Sequence, residues 1–370
     1  MTEKSLPAAS YEQEIFNSAS AGRRRSREEL VALLRTWLAD RFESEDLQLL
    51  DPRTPLGAGT SSETVLATAR WTSDGRSQSR DIAFRIAPDS FQLFFEPVFE
   101  NQYRVLEILH REGSVAVPEP LYFESDTEIL GLPFYVMGQV HGRVPVSSPP
   151  YNSAGFLFEA TPAQRRVAWE TAMDQLCRVA KVPVAQFTIL DEPRYGESGL
   201  VQQLEYWKQG LDWYCNGEVP DEVHQLDEWL RSNVPPQAVN GFAWGDARIG
   251  NMAFDDTFGC VGVFDWEQAN IGGIHQDLGW WLFFDHFHSE GRGHVRLEGL
   301  GSRTETISYW EDNVGQLAGD TTWYEIFAAY KVAILSIRSL LLVHDPNALK
   351  VESNPTLARA CQMADLRTGP

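Results

Sequence analysis

The chain is short of positive charge. It carries 31 Lys and Arg residues against 52 Asp and Glu residues, which gives a net charge of −21 at pH 7. A field of this sign repels the phosphates of nucleic acids and the headgroups of anionic membranes. We therefore expect neither nucleic acid nor a membrane as a partner. An acidic surface favours cationic substrates, although it also serves plain solubility.

Cysteine pairs and long apolar runs are absent as well. The four cysteines are widely scattered and form no C-x-x-C pair: Cys177, Cys215, Cys260 and Cys361. This pattern predicts reduced thiols in a cytoplasmic protein and neither a zinc site nor a disulfide framework. The N-terminus lacks the apolar core of a signal peptide. The apolar stretch from Ala328 to Val343 is interrupted by Lys331 and Arg338, which indicates a buried helix and no membrane span.

The chain contains enough apolar residues for a large core. Of its 370 residues 43% are hydrophobic, and 12 are Trp. A chain of this length predicts two lobes or domains. Residues 1–25 mix small, polar and charged types and are expected to form a flexible tail. A helix then begins at Ser26, whose side chain is a candidate cap together with Glu29 three residues on.

The order of the predicted elements separates two regions. Up to about Val140 strands dominate: a hairpin turns at Asp74-Gly75, a helix covers about 98–110, and two strands follow. Beyond Gly142 the chain is mainly helical, and Thr161 with Pro162 is typical of a helix start. Further predicted helices cover 200–214, 220–231, 304–317 and 324–343.

The most informative stretch reads WGDARIGN, from Trp244 to Asn251, and is followed by VFDWE, from Val263 to Glu267. Phosphoryl transfer from ATP needs one carboxylate to accept or orient the proton of the attacking hydroxyl. It also needs an Asn and a second carboxylate to bind magnesium on the phosphates. Asp246, Asn251 and Asp265 fit these roles in that order, at the spacing of a protein-kinase catalytic loop. Because Asp and Asn near Gly also occur in ordinary turns, the first pair alone does not assign the function.

Together the two blocks resemble the aminoglycoside phosphotransferase family, whose members usually carry an HGD…N stretch and then an apolar strand ending in DWE. Gly272, Asp277 and Leu278 continue the similarity. The resemblance implies an α+β, bilobal, protein-kinase-like fold. The N-terminal nucleotide-binding lobe, 26–140, would carry a small antiparallel β-sheet, and the C-terminal catalytic and substrate lobe, 141–370, would be mainly helical.

The resemblance also implies a reaction. The chain would move the γ-phosphoryl group of ATP to a hydroxyl of a small molecule, with ATP and Mg²⁺ as cofactors. Asp246 would be the catalytic residue, and Asn251 and Asp265 the metal ligands. Family acceptors include aminoglycosides, choline-like alcohols, amino alcohols, sugars and hydroxyacyl compounds. The sequence does not choose among these, and it leaves the oligomeric state open.

Further residues are expected to bind the nucleotide. Gly59 and Ser61 lie in a Gly- and Ser-rich turn that can direct backbone N–H groups at phosphates. Arg85 ends an apolar strand where kinases have a Lys that reaches the α- and β-phosphates, and Arg can bind phosphate in a bidentate way. The usual acidic partner of this cation corresponds to Gln102, with Glu100 and Glu96 as alternatives.

The hinge between the predicted lobes supplies the adenine contacts. The backbone of Gln139 and Val140 would provide one acceptor and one donor, and Met137 would line the pocket. Trp244 replaces the His of the HGD motif, so we expect an indole to support the loop by packing in place of imidazole hydrogen bonds. Asp277 is expected to hydrogen-bond this loop or to cap a helix.

A catalytically impaired, nucleotide-binding pseudokinase is the alternative function. The replacements at Gln102 and Trp244 favour it. The presence of Asp246, Asn251 and Asp265 together favours an active enzyme, because a binding module has no chemical need for the base.

Overall fold

A computed structural model of the protein describes residues 26–54, 62–89, 91–197, 199–236 and 238–366. These residues form two compact units. Unit 1 takes its residues from Met1–Gln92 and Pro118–Val140, and unit 2 takes its residues from Leu93–Val117 and His141–Pro370. The predicted tail at 1–25 lies outside the described residues.

The secondary structure follows in chain order. The first part of the chain contains α1 (Arg27–Arg41), β1 (Gln48–Arg53), β2 (Glu63–Ser73), β3 (Arg76–Ile86), α2 (Phe99–Glu112), β4 (Pro120–Glu124), α3 (Thr127–Leu130) and β5 (Phe134–Gly138). The remainder contains α4 (Phe156–Glu159), α5 (Pro162–Lys181), α6 (Leu200–Tyr214), α7 (Asp221–Ser232), β6 (Met252–Phe254), β7 (Cys260–Val263), α8 (His275–His288), α9 (Arg303–Val314), α10 (Thr322–Leu342) and α11 (Pro355–Met363).

Unit 1 is built on a five-stranded antiparallel sheet in the order β1-β2-β3-β5-β4. The predicted hairpin at Asp74-Gly75 is confirmed: Ser73 pairs with Arg76, and both turn residues have positive φ, 50° and 68°. Two such residues form the mirror-image turn that matches the twist of the flanking strands. The edge strand β1 was not predicted from the sequence.

Helix α1 closes one face of this sheet. It starts with the predicted capping box, in which the Ser26 and Glu29 side chains each accept from the other's backbone N–H. Its buried side chains Leu34, Trp37 and Leu38 join the apolar residues of the sheet in one core. Burial of such side chains contributes about 1.5–3 kcal/mol each. The core holds β3 in the middle of the sheet, buried from Ile82 to Ile86.

Unit 2 is mainly helical, with a two-stranded β6-β7 hairpin. The predicted helices are present, and α6 has the predicted bounds Leu200–Tyr214. Helix α9 ends at Val314, earlier than expected, because Gly315 adopts a left-handed conformation (φ 77°) that terminates it. Of the helices that the structure describes, none combines the length and apolar character needed to cross a membrane.

Two helices of unit 2 lie very close together. A Cβ at Gly279 of α8 would overlap the Cβ of Tyr324 on α10, so only glycine allows this approach. Gly279, which directly follows Asp277 and Leu278, therefore sets the spacing of α8 and α10. These two helices carry Trp280, which contacts Asp246, and Lys331, which contacts the Trp280 ring.

Candidate active site

The loop that carries Asp246 is tethered to the segment just before α8. Ala243 and Asn270 exchange two backbone hydrogen bonds, of 2.8 and 3.0 Å. Gly245 has φ 89°, and a Cβ there would overlap the carbonyl oxygen of Gln268. The turn that exposes Asp246 is thus possible only with glycine at the preceding position.

Asp277 fixes this loop from α8. Its Oδ2 accepts from the Trp244 N–H at 2.7 Å, and its Oδ1 accepts from the Gly245 N–H at 2.8 Å. The side chain is only 1% exposed. Burial raises the pKa of Asp277 to about 6, although the two backbone donors act in the opposite direction. The prediction that Asp277 hydrogen-bonds the loop is confirmed.

Trp244 supports the loop through its buried indole ring. It is fully buried and packs against Trp266 at 5.5 Å between ring centroids. Its Nε1 also donates to the carbonyl oxygens of Phe264 and Asp265, at 2.8 and 3.1 Å. The expected indole packing is therefore present, and the indole N–H in addition joins the loop to the strand end at Asp265.

The Asp246 carboxylate accepts three side-chain hydrogen bonds. Arg248 Nε and Trp280 Nε1 donate to Oδ1 at 3.0 and 2.8 Å, and Asn251 Nδ2 donates to Oδ2 at 2.7 Å. Arg248 is itself held by a 2.9 Å hydrogen bond to the Ser147 hydroxyl. Such an array fixes the direction of both carboxylate oxygens.

The predicted metal ligands Asn251 and Asp265 lie at the open end of the β6-β7 hairpin. Met252 pairs with Val263, and the Phe264 N–H donates to the Asn251 carbonyl oxygen at 3.0 Å. Asp265 follows with φ 59°, a left-handed conformation that turns the chain away from the strand. The hairpin register thus joins the two residues that sequence spacing alone left fourteen positions apart.

The donor set of this pair suits a hard divalent cation. The Asn251 amide is 3% exposed, and its Nδ2 is committed to the Asp246 carboxylate and to the Asp246 carbonyl oxygen, at 2.7 and 3.0 Å. Its Oδ1 accepts no hydrogen bond from any residue that the structure describes. An amide oxygen and a carboxylate are ligands that magnesium prefers.

The predicted phosphate cation lies in unit 1. Arg85 is 9% exposed in the central strand β3, and its Nε donates to the Ser62 hydroxyl at 2.7 Å. Gly59 and Ser61 lie outside the described residues. Glu96, one of the alternative acidic partners considered for Arg85, belongs to unit 2. It accepts hydrogen bonds from the Arg194 guanidinium and the Tyr195 hydroxyl, at 2.5 and 2.6 Å.

The predicted adenine contacts lie in β5 and directly after it. Met137 is buried and pairs with Ala83 across the sheet. The Gln139 N–H donates to the Asp81 carbonyl oxygen at 3.0 Å, so this N–H is already paired within unit 1.

Two residues near the loop of Asp246 were not among the site residues predicted from the sequence. Trp280 on α8 is buried, and its indole N–H donates to Asp246 Oδ1 at 2.8 Å. Lys331 on α10 is 2% exposed, and its Nζ lies 4.5 Å from the Trp280 ring centroid and 4.9 Å from that of Phe327. A lysine within an apolar helical run was the available signal.

A model described as "Phosphotransferase enzyme family" matches residues 53–307 of the chain. Solved structures are similar over most of the chain. A candidate aminoglycoside phosphotransferase from Ralstonia eutropha has a TM-score of 0.62 and 20% identity, covering 90% of this chain and 98% of that one. The GDP and kanamycin complex of APH(2")-IIia has a TM-score of 0.57 and 14% identity, covering 88% and 97%. These similarities confirm the α+β, kinase-like fold class.

Curated relatives are similar over a shorter stretch. "Acyl-CoA dehydrogenase family member 11" of Gallus gallus is 30% identical over 181 residues, which is 48% of this chain and 22% of the relative. "Acyl-CoA dehydrogenase family member 10" of Mus musculus is 28% identical over 207 residues, 55% of this chain and 18% of the relative. The match thus spans about a fifth of the length of these relatives.

Proposed function

The chain belongs to the phosphotransferase enzyme family, and we propose that it transfers the γ-phosphoryl group of ATP to a hydroxyl group of a small molecule. The observation that carries the proposal is the hydrogen-bonded array of Asp246, which couples a proton-accepting carboxylate to the Asn251 amide. Phosphoryl transfer depends on positioning and charge stabilisation, and an array of this kind supplies both.

Asp246 accepts the proton of the attacking hydroxyl. A carboxylate has about four lone-pair positions, and Arg248, Trp280 and Asn251 use three of them. The remaining position is on Oδ2, and it faces the substrate hydroxyl. As the hydroxyl oxygen bonds to the γ-phosphorus, the bond to the β–γ bridging oxygen breaks, ADP leaves, and the hydroxyl proton passes to Oδ2.

Asn251 Oδ1 and the Asp265 carboxylate would hold magnesium. When bound, the metal neutralises charge on the phosphate oxygens. Both residues are set by the β6-β7 register and by the Trp244 indole, whose N–H binds the Asp265 carbonyl. The single amide of Asn251 therefore serves two groups, with its nitrogen on Asp246 and its oxygen toward the metal.

The nucleotide contacts of unit 1 belong to the same proposal. Arg85 binds the α- and β-phosphates, with its guanidinium oriented by the Ser62 hydroxyl. Gly59 and Ser61 contribute to phosphate binding. Val140 donates to adenine and the Gln139 carbonyl accepts from it, against the side chain of Met137.

The pseudokinase alternative explains the site less well. A protein that only binds nucleotide has no use for three donors that orient the Asp246 carboxylate. The proposal also assigns the enzyme to the cytoplasm, where ATP is available and its four free cysteines stay reduced. The kanamycin complex of the structural relative supports including aminoglycosides among the acceptors to be tested here.

The experiment is an acceptor screen with purified protein, ATP and magnesium. Release of ADP is measured with aminoglycosides, choline-like alcohols, amino alcohols, sugars and hydroxy acids, and the product is identified by phosphorus NMR. Acceptor-dependent ADP release with a phosphate ester as product supports the kinase. ATP binding without ADP release across all five classes contradicts it and favours the pseudokinase.

A further inference from the structure

Unit 2 contains a cavity of ≈330 Å³ beside the catalytic loop. Its wall comes from the segment before α2, the 190–195 turns, α6, the 267–270 segment and α10. Gln268 of this wall lies against Gly245, the residue before Asp246, where a Cβ would overlap the Gln268 carbonyl. The charge of Asp246 also acts on Lys331, which lines the same cavity. The cavity therefore adjoins the proposed base.

Lys331 is a buried cation in this wall. It is the one buried lysine among the residues that the structure describes, with 2% exposure. Its ammonium packs on the rings of Trp280 and Phe327, and it makes no hydrogen bond or ion pair with any described residue. Burial lowers the pKa of Lys331 to about 8, although the negative charges of Asp277 and Asp246 act to raise it. An ammonium offers three donors, and leaving them unused in a buried site is costly.

The acidic side chains of the cavity wall are not all available to bind a ligand with several positive charges. Glu96 uses both oxygens, one on Tyr195 and one on Arg194. Glu192 pairs with the same Arg194 at 3.2 Å. Glu267, the third acidic residue of the wall, is half-buried. The cavity wall thus carries three acidic residues, two of which pair with Arg194, and one ammonium that makes no hydrogen bond to a described residue.

We propose that this cavity binds the acceptor and that Lys331 pairs with a carboxylate on it. The inference rests on the proposed function and narrows its acceptor to hydroxylated carboxylic acids, whose hydroxyl meets Asp246. The aromatic side chains Tyr206 and Trp207 cover the carbon chain of this acid.

The carboxylate itself does not react. The hydroxyl oxygen forms the new bond to phosphorus, the β–γ bridging bond breaks, and the hydroxyl proton goes to Asp246. Lys331 fixes the other end of the acceptor and so aligns the hydroxyl. It also repels the ammonium groups of amino alcohols and aminoglycosides, which gives the site its specificity.

Three probes that differ at one end test the inference: ω-hydroxyhexanoate, hexanediol and aminohexanol. Their binding to the full chain is measured by calorimetry without ATP, and ADP release is measured separately. We expect the hydroxy acid to bind about 10-fold or more tightly than the diol, as one charge-assisted contact would give, and the amino alcohol to bind weakest. Lys331→Met should remove this order while leaving the diol unchanged, and Lys331→Arg should keep part of it. The control Lys208→Met alters an exposed lysine on α6 and should change nothing.

Equal affinity for the three probes, or a preference for the amino alcohol, would overturn the inference. So would a Lys331→Met variant that weakens all three probes equally, since that marks a structural counter-ion. If Lys331→Met fails to fold, the order of the three probe affinities in the wild type and in Lys331→Arg still tests the inference. A retained preference for the hydroxy acid, together with no ADP release in the whole acceptor screen, contradicts the kinase and leaves the anion site. ADP release without the preference contradicts the anion site alone.

Discussion

The indole N–H of Trp280 donates to Oδ1 of Asp246 at 2.8 Å, from a helix that begins 29 residues after Asp246. The same indole ring carries the Lys331 ammonium on its face, 4.5 Å from the ring centroid. Trp280 thereby links the proposed base to the proposed acceptor cavity. It touches neither substrate nor nucleotide in this account, so it is a positioning residue.

Removing the Trp280 donor should slow turnover without loosening the fold. Trp280→Phe keeps an aromatic ring and deletes the N–H. The Trp280 N–H is one of three donors that orient the Asp246 carboxylate, so kcat should fall about 10-fold or more while the KM for ATP stays unchanged. Steady-state kinetics and a melting curve measure this. Trp310→Phe is the matched control, because its Nε1 has no partner among the described residues. Equal kinetic effects of the two changes would contradict the role of Trp280.

Protonation of Asp277 should affect turnover and stability in opposite directions. As the pH falls, turnover should decrease while the contribution of this group to the stability of the fold increases. Its folded-state pKa of about 6 lies above the ordinary value of 3.8, so the folded state takes up this proton first as the pH falls. This group therefore stabilises the fold increasingly between about pH 6 and 4. The same proton removes an acceptor for the Trp244 and Gly245 amides, so turnover should decline below about pH 6.

The measurement for Asp277 is a pair of pH profiles, kcat and the free energy of unfolding, for wild type and Asp277→Asn. The variant keeps the shape and cannot titrate. The wild type should show both pH trends, in kcat and in the free energy of unfolding, and the variant should lack them. Parallel profiles for wild type and variant would exclude Asp277 as the titrating group.

Magnesium should strengthen ATP binding through Asp265. Asp265→Asn removes the charge and tolerates the left-handed backbone (φ 59°) at this position. ATP affinity should then lose most of its dependence on magnesium, as calorimetry with and without the metal would detect. Asp256→Asn, an exposed change in the turn of the β6-β7 hairpin, is the control. An unaltered magnesium dependence in Asp265→Asn would remove it from the metal site.

The sequence predicted the parts of the site that are local in the chain. Asp246, Asn251 and Asp265 follow a motif whose spacing reflects one loop and one hairpin, and the hairpin register indeed joins the last two. Asp277 was predicted to bind the loop because it continues the same motif.

Trp280 and Lys331 could not be predicted in the same way. All residues from His275 to Phe283 are buried, so α8 has no polar face that would distinguish Trp280 from its neighbours. Lys331 was visible as a charge within an apolar helix, but its contact with Trp280 depends on the close packing at Gly279. Tertiary packing, which periodicity does not encode, decides both positions.

Asp246→Asn tests the central claim most directly, because it removes the negative charge of the proposed base with almost no change of shape. Acceptor-dependent ADP release, ATP affinity and melting temperature are measured on the same sample. The account predicts that turnover falls about 10²-fold or more, the range of general base catalysis, while ATP affinity and melting temperature remain close to those of wild type. Retained turnover would contradict the account, and a collapsed melting temperature would assign Asp246 a structural role.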